Sequence, residues 1–385
     1  MAKPSGIAAR PDGRIEAKPS RPAGFLREEW FLFASIATCA VFFLRGDALW
    51  SRLADPLWLA LIFLWLFGTV MGATLSVVRH ADHLAERLGE PYGTLILTLS
   101  VTLIEVMSIS SVMMRGHHSP TLTRDTLFAV VMILLNGMVG LCLLIGGWRH
   151  REQQYNLQGA NTYLGVIIPL AVLSLVLPDF TQTTPGPTLA NGQQGFLVLV
   201  SVGLFIAFLA IQTGRHREFF TMADAIGITA PHAPARRILP EAVLLVLYLL
   251  PVVFLAEQLA HPVNFLIQTW RVPAAFGGVT IAVLVATPEA LGAVRAAMAN
   301  QLQRSINIFL GSVLSTIGLT IPAMILVSHL IGRDIVLGVE HTDLVLLLLT
   351  LAVSIVTFSS GRTNVMQGAV HLILFGAYLL LIVQG

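Results

Sequence analysis

Charge is what this chain has least of: only 11% of its 385 residues are Asp, Glu, Lys or Arg, while 55% are hydrophobic. A soluble globular domain carries about 25% charged residues, so this composition points to an integral membrane protein and not to one that lives free in water. Cysteine is nearly absent, with Cys39 and Cys142 standing alone inside apolar runs. Isolated thiols in such runs behave as small hydrophobes, so no disulfide framework is expected. Cys and His never cluster at ligand spacing, so a structural zinc or copper centre is not predicted. His-Glu-x-x-His, a Gly-x-Ser-x-Gly elbow and a paired Asp motif are all missing, which argues against an intramembrane enzyme.

What the chain does have is apolar length. At about 20 residues per span it has enough hydrophobic residues for ten or eleven transmembrane helices. Runs of suitable length lie near 28–45, 57–78, 94–114, 126–147, 161–178, 195–213, 241–260, 276–298, 305–331, 343–359 and 366–383. The opening stretch is basic and rich in breakers, with Arg10, Pro11, Gly13, Pro19 and Pro22. No apolar segment follows early enough for a cleaved signal peptide, so the first helix is expected to be retained. The fold class is therefore an all-α polytopic membrane protein. Its expected division is a disordered cytoplasmic tail over 1–27, a first helix and loop over 28–56, five helices over 57–213, a cytoplasmic linker over 214–240, and five more helices over 241–385.

Orientation follows from where the basic residues fall. With the N-terminus in the cytoplasm, 17 of the 23 Lys and Arg lie on the inner side. The six on the other side are Arg45, Arg52, Arg115, Arg124, Arg271 and Arg333. The expectation is a multi-pass protein of the plasma (inner) membrane with its C-terminus outside.

Two glutamates break this apolar pattern. Glu105 lies within GTLILTLSVTLIEVMSISSVMM and Glu289 within GGVTIAVLVATPEALGAV. A carboxylate at the centre of a bilayer costs about 2.5–3.5 kcal/mol even on the lenient scale, so it is retained there for function. Once the first helix is set aside, each glutamate falls in the second helix of a set of five. Five is odd, so the second set enters the membrane from the opposite side, as two inverted repeats require. Pro288 lacks an N–H and deprives the Leu284 carbonyl of its helical partner, which leaves a backbone oxygen beside Glu289. Thr287 adds a hydroxyl, and Gly277-Gly278 allows close backbone approach. Thr98 and Thr102 share a helix face with Glu105. The next helix of each set offers Asn136 in one case and Ser312, Ser315 and Thr316 in the other. Oxygen donors of this kind with two carboxylates suit a hard cation such as calcium. The ion-binding and proton-coupling pair is therefore Glu105 and Glu289, with Thr102, Asn136, Leu284, Thr287 and Ser312 as supporting ligands and Pro288 as the helix break. His371 reads as a packing histidine, the His117-His118 pair as loop residues, and Glu257 and Asp125 as interfacial charges near the outer helix ends.

Three stretches resemble the cation/proton exchanger branch of the calcium:cation antiporter superfamily. They are Pro91-Tyr92-Gly93-Thr94-Leu95-Ile96-Leu97 running on to Glu105, Ala286-Thr287-Pro288-Glu289, and Ala297 through Asn307. The resemblance spans roughly 30–385 and implies that Glu105 and Glu289 bind the exported cation in competition with protons. In two places the chain departs from the family pattern: Leu103-Ile104 precedes Glu105 where Gly-Asn-Ala is common, and Ala290 follows Glu289 where His is frequent. The implied function is calcium:proton antiport, with sodium or potassium:proton antiport as the alternative on the same site and a passive channel less favoured. The only partners implied are membrane lipid, transported cations and protons. No resident cofactor and no nucleic acid are expected.

Overall fold

Inside a bilayer each backbone N–H and C=O must be paired within the spanning structure, which a chain of separate apolar runs achieves by forming helices. The computed structural model describes residues 29–88, 92–115, 120–220 and 238–384. The tail over 1–27, Pro91, the His117-His118 pair and 221–237 of the linker lie outside the described residues. The helices are α1 (Trp30–Trp50), α2 (Pro56–Leu88), α3 (Tyr92–Arg115), α4 (Leu122–His150), α5 (Leu157–Phe180), α6 (Asn191–Arg215), α7 (Ile238–Thr269), α8 (Ala275–Met298), α9 (Leu302–Ile331), α10 (His341–Thr357) and α11 (Val365–Gln384). Among the described residues, nine of them are long and apolar enough to cross a membrane. The other two, α3 and α10, carry shorter apolar stretches at Thr98–Met114 and His341–Thr357. A two-residue antiparallel ladder, β1 (Gln153–Gln154) with β2 (Arg362–Thr363), pairs Gln153 with Thr363 and ties the α4–α5 turn to the α10–α11 turn.

Side chains such as Phe43, Leu44, Leu199, Leu330, Ile373 and Val383 point outward from the bundle. Such a surface suits acyl chains, whereas in water it would be a liability. The longest helix contact is between α2 and α7, the first helices of the two sets of five, and α1 lies against both. Helix α8 crosses α4 at Gly278, where a Cβ would stand 2.7 Å from the backbone of Asp125 and Thr126. Only glycine permits that approach.

Among the described residues, four helices contain π turns, at Ile133–Met138 in α4, Val172–Val176 in α5, Ile211–Arg215 in α6 and Thr316–Thr320 in α9. In α9 the cause is Pro322, which follows directly and has no N–H for the preceding turn. In α5, Pro169 and Pro178 flank the turn. In α6 the chain leaves helical geometry at Gly214 (φ −113°, ψ −105°). The linker is not free from residue 214 onward. It first makes a 3₁₀ turn over Arg217–Phe220. That turn lies so close to α5 that a Cβ on Gly159 would stand 2.2 Å from the Phe219 carbonyl.

Candidate cation site

Glu105 is 1% exposed and packs against the π turn of α9. Thr316 donates to its Oε2 at 3.1 Å and Thr320 donates to the same oxygen at 2.7 Å. Four residues along an α-helix overshoot a full turn by about 40°. The π turn wraps more residues per turn and so brings both hydroxyls to one oxygen. One turn earlier on α9, the Ser312 hydroxyl lies close to the Glu289 carboxyl, and both line the same cavity. Ser312, Thr316 and Thr320 thus form a stripe along α9 that addresses both carboxyl groups.

The second oxygen of each carboxyl is the telling feature. Glu105 Oε1, Glu289 Oε2 and Thr102 Oγ1 are buried without a hydrogen-bond partner. Buried polar atoms are nearly always paired, so these three unpaired oxygens are available to an outside ligand. All three are hard oxygen donors, and two of the groups can carry negative charge, which is what a hard cation requires.

A cavity of about 420 Å³ leads to this place from one side. At its mouth lie Asp82, Thr213, Arg217 and Arg304, from the helix ends on the side of the linker, and it reaches Pro288, Glu289, Gly292 and Ser312. Thr98 lines it, whereas Thr102 and Glu105 sit behind its wall. Phe220, from the folded start of the linker, packs at 5.5 Å from the rings of Tyr163 and Phe208 and forms part of that wall. A smaller cavity of about 210 Å³, between Met113, Ala260, Thr280 and Arg333, is lined by neither glutamate. Glu289 is therefore approached from the linker side.

Other residues named from the sequence have different surroundings. Asn136 donates to Thr350 Oγ1 at 2.8 Å and shares its Oδ1 with His371 Nδ1 at 3.2 Å, so its amide is engaged away from the carboxylates. His371 is fully buried and meets Thr357 at 2.9 Å through its other nitrogen, which makes it a packing residue. The Thr287 hydroxyl donates back to the Val283 carbonyl at 2.6 Å within its own helix. Pro288 sits inside α8 as expected and leaves the Leu284 carbonyl without its α-helical donor. Asp125 is no free mouth charge: it accepts from Arg124 Nε at 2.8 Å and from Thr121 at 2.9 Å. Glu257 lines neither of the two cavities. Thr320 is the contact sequence reading missed. Its signal was the four-residue spacing of hydroxyls at 312, 316 and 320.

The arrangement suits an intramembrane ion exchanger, with two buried carboxyls, one of them at the end of a water-sized passage between helices. A model of the sodium/calcium exchanger protein family matches residues 58–214 and 241–384, and the chain belongs to that family. It is 39% identical over 360 residues to the sodium-potassium/proton antiporter ChaA of Escherichia coli, covering 92% of this chain and 96% of that one. To the Ca²⁺/H⁺ antiporter ChaA of Bacillus subtilis it is 21% identical over 267 residues, covering 67% of this chain and 75% of the other. The solved structure of native YfkE superposes with a TM-score of 0.72 at 17% identity, covering 92% of this chain and all of that one, so the fold is shared. The chain is a bacterial-type cation exchanger of the membrane, almost wholly α, with eleven helices among the described residues.

Proposed function

We propose that the chain is a secondary cation/proton antiporter, not an enzyme, that expels calcium from the cytoplasm as protons enter, with Glu105 and Glu289 as the exchange site. The carrying observation is the set of unpartnered buried oxygens on Glu105, Glu289 and Thr102, with the other oxygen of Glu105 held by Thr316 and Thr320 of α9. Two carboxylates balance the charge of one divalent cation, and they can equally be neutralised by protons. The empty, doubly charged pair is costly in a low-dielectric site, so the site moves only when loaded and the two fluxes are coupled. Two inverted five-helix repeats with the first helix outside them, N-terminus in and C-terminus out, would supply the alternating access. The linker-side cavity then corresponds to a state open to the cytoplasm. A second reading, sodium or potassium in place of calcium, is favoured by the likeness to the sodium-potassium/proton antiporter of Escherichia coli.

The deciding experiment is cation-driven proton movement in everted vesicles, with calcium, sodium and potassium each supplied alone. Glu105→Gln and Glu289→Gln keep size and hydrogen bonding but hold each group in a permanently neutral form. Either change is expected to abolish exchange while leaving membrane insertion intact. Near-parental exchange by Glu289→Gln would make that residue structural and would refute the coupling.

A further inference from the structure

A second cluster of titratable groups lies away from the exchange site, where the end of α2 meets the start of α7. His80 and His83 lie three residues apart on α2 and so face the same way. Both turn their Nδ1 atoms to a single oxygen of Glu241, at 2.7 Å and 3.3 Å respectively. The three donor atoms lie within 4.8 Å of one another. A zinc-class ion takes imidazole nitrogen at about 2.0–2.1 Å, so donors around a tetrahedral ion stand roughly 3.3 Å apart. The two nitrogen–oxygen spacings, 2.7 Å and 3.3 Å, bracket the range from hydrogen bond to shared ion, so side-chain rotation alone would admit an ion.

The surroundings are those of a supported metal ligand. On its other ring nitrogen, His80 meets Glu29 Oε2 at 3.3 Å. Glu29 is fixed in turn by Arg79 at 2.8 Å and by the Tyr248 hydroxyl at 2.9 Å, and the Tyr248 ring stacks on His80. A carboxylate on the far nitrogen of a ligating histidine sets its tautomer and orientation. Arg79 lies 3.4 Å from the same ring nitrogen, so the pair of Glu29 and Arg79 holds that edge of the ring. A metal ion on Nδ1 would leave Nε2 facing Glu29. His83 is one-third exposed, which gives an ion a way in from the linker side.

We infer that His80, His83 and Glu241 form a binding site for a borderline divalent metal ion of the zinc class, distinct from the exchange site. Two imidazoles and one carboxylate select such an ion over calcium or sodium, which take oxygen donors. The bound ion ties α2 to α7, the first helices of the two sets of five.

The test uses the full-length protein, purified in detergent and stripped of metal, with Co²⁺ as the probe because its visible absorption reports nitrogen ligation. The Glu289→Gln variant serves as the background, so that failure of the exchange-site reading and failure of this one are told apart. In that background a single Co²⁺ per chain is expected to bind with strong visible bands that zinc displaces. His83→Ala and Glu241→Gln should lose the bands, and Glu29→Gln should weaken binding roughly 10–100-fold. Zinc should raise the unfolding temperature of Glu289→Gln and leave that of His83→Ala unchanged, which controls for folding. Absence of the bands, their persistence in a folded His83→Ala, or their loss through Glu289→Gln alone would overturn the inference.

Discussion

Replacing Thr320 by Val removes one hydroxyl and keeps the shape of the side chain. Its hydrogen bond to Glu105 is the shorter of the two at that oxygen, 2.7 Å against 3.1 Å from Thr316. A hydrogen bond to a charged group contributes about 1.5–3 kcal/mol, and one to a neutral group about 0.5–1.5 kcal/mol. Cation binding needs the ionised carboxylate, whereas proton loading makes it neutral, so only the difference bears on their competition. That difference is about 1–1.5 kcal/mol, a factor of roughly 5–10 in an equilibrium constant. In Thr320→Val the half-saturating cation concentration should therefore rise by roughly 5–10-fold at fixed pH. The sign with pH follows. Without the hydroxyl the carboxylate holds its proton more tightly, so half-maximal cation-driven flux moves to higher pH, by about 0.7–1 unit. The assay is dye-reported proton movement in everted vesicles, titrated with cation at several pH values and normalised to inserted protein. Thr316→Val should act in the same direction and more weakly. If both variants keep the parental cation dependence and pH profile, the α9 hydroxyls do not belong to the exchange site.

Further expectations concern the helix break, the close crossing and the orientation. In Pro288→Ala the Leu284 carbonyl regains a donor, α8 straightens, and the half-saturating cation concentration should rise with exchange still present at high cation; an unchanged cation dependence would assign the kink to packing alone. Gly278→Val puts a branched side chain where even a Cβ would stand 2.7 Å from the α4 backbone. That overpacking should destabilise the protein by about 1–3 kcal/mol, read as a lowered unfolding temperature in detergent, and a parental value would mean the helices part freely. A reporter fused at the C-terminus should be active only outside the cytoplasm and one within 214–240 only inside, and the reverse at either place would remove the inverted-repeat reading.

The helices were legible because hydrophobicity and length are properties of a window, and eleven windows of the right kind occur in the sequence. Their ends drifted outward: α2 runs to Leu88, ten residues beyond the apolar run at 57–78, because its polar end carries Arg79, His80 and His83 into the charged cluster with Glu29 and Glu241. Glu105 and Glu289 stood out because charge is scarce around them. Their partners were harder to read, since a threonine in an apolar helix most often bonds its own backbone, as Thr287 and Thr280 do. Which hydroxyls turn outward depends on the local twist of α9, and a π turn shifts that twist without a change of residue type. Asn136 shows the reverse error. Its composition suits a ligand, but its neighbours come from α10 and α11, and no local pattern names them. Similarly, Glu241 is far in sequence from His80 and His83, and the three became a cluster only through the packing of α2 on α7.

The Asn136 contacts bear on how the protein is made. Its amide nitrogen waits for Thr350 and its oxygen for His371, 214 and 235 residues later in the chain. At about 5–20 residues per second of synthesis, the nascent α4 holds an unpaired amide for roughly 10–50 s. Over that interval α5 to α9 are made while a polar group in α4 lacks these two partners. An unpaired amide in lipid is costly, so water or a lipid headgroup would serve it until α10 and α11 arrive. A chain cut short before residue 371 never completes that exchange. Helix α11, which lines neither of the two cavities, thus supplies the contact that completes the pairing of the α4 amide.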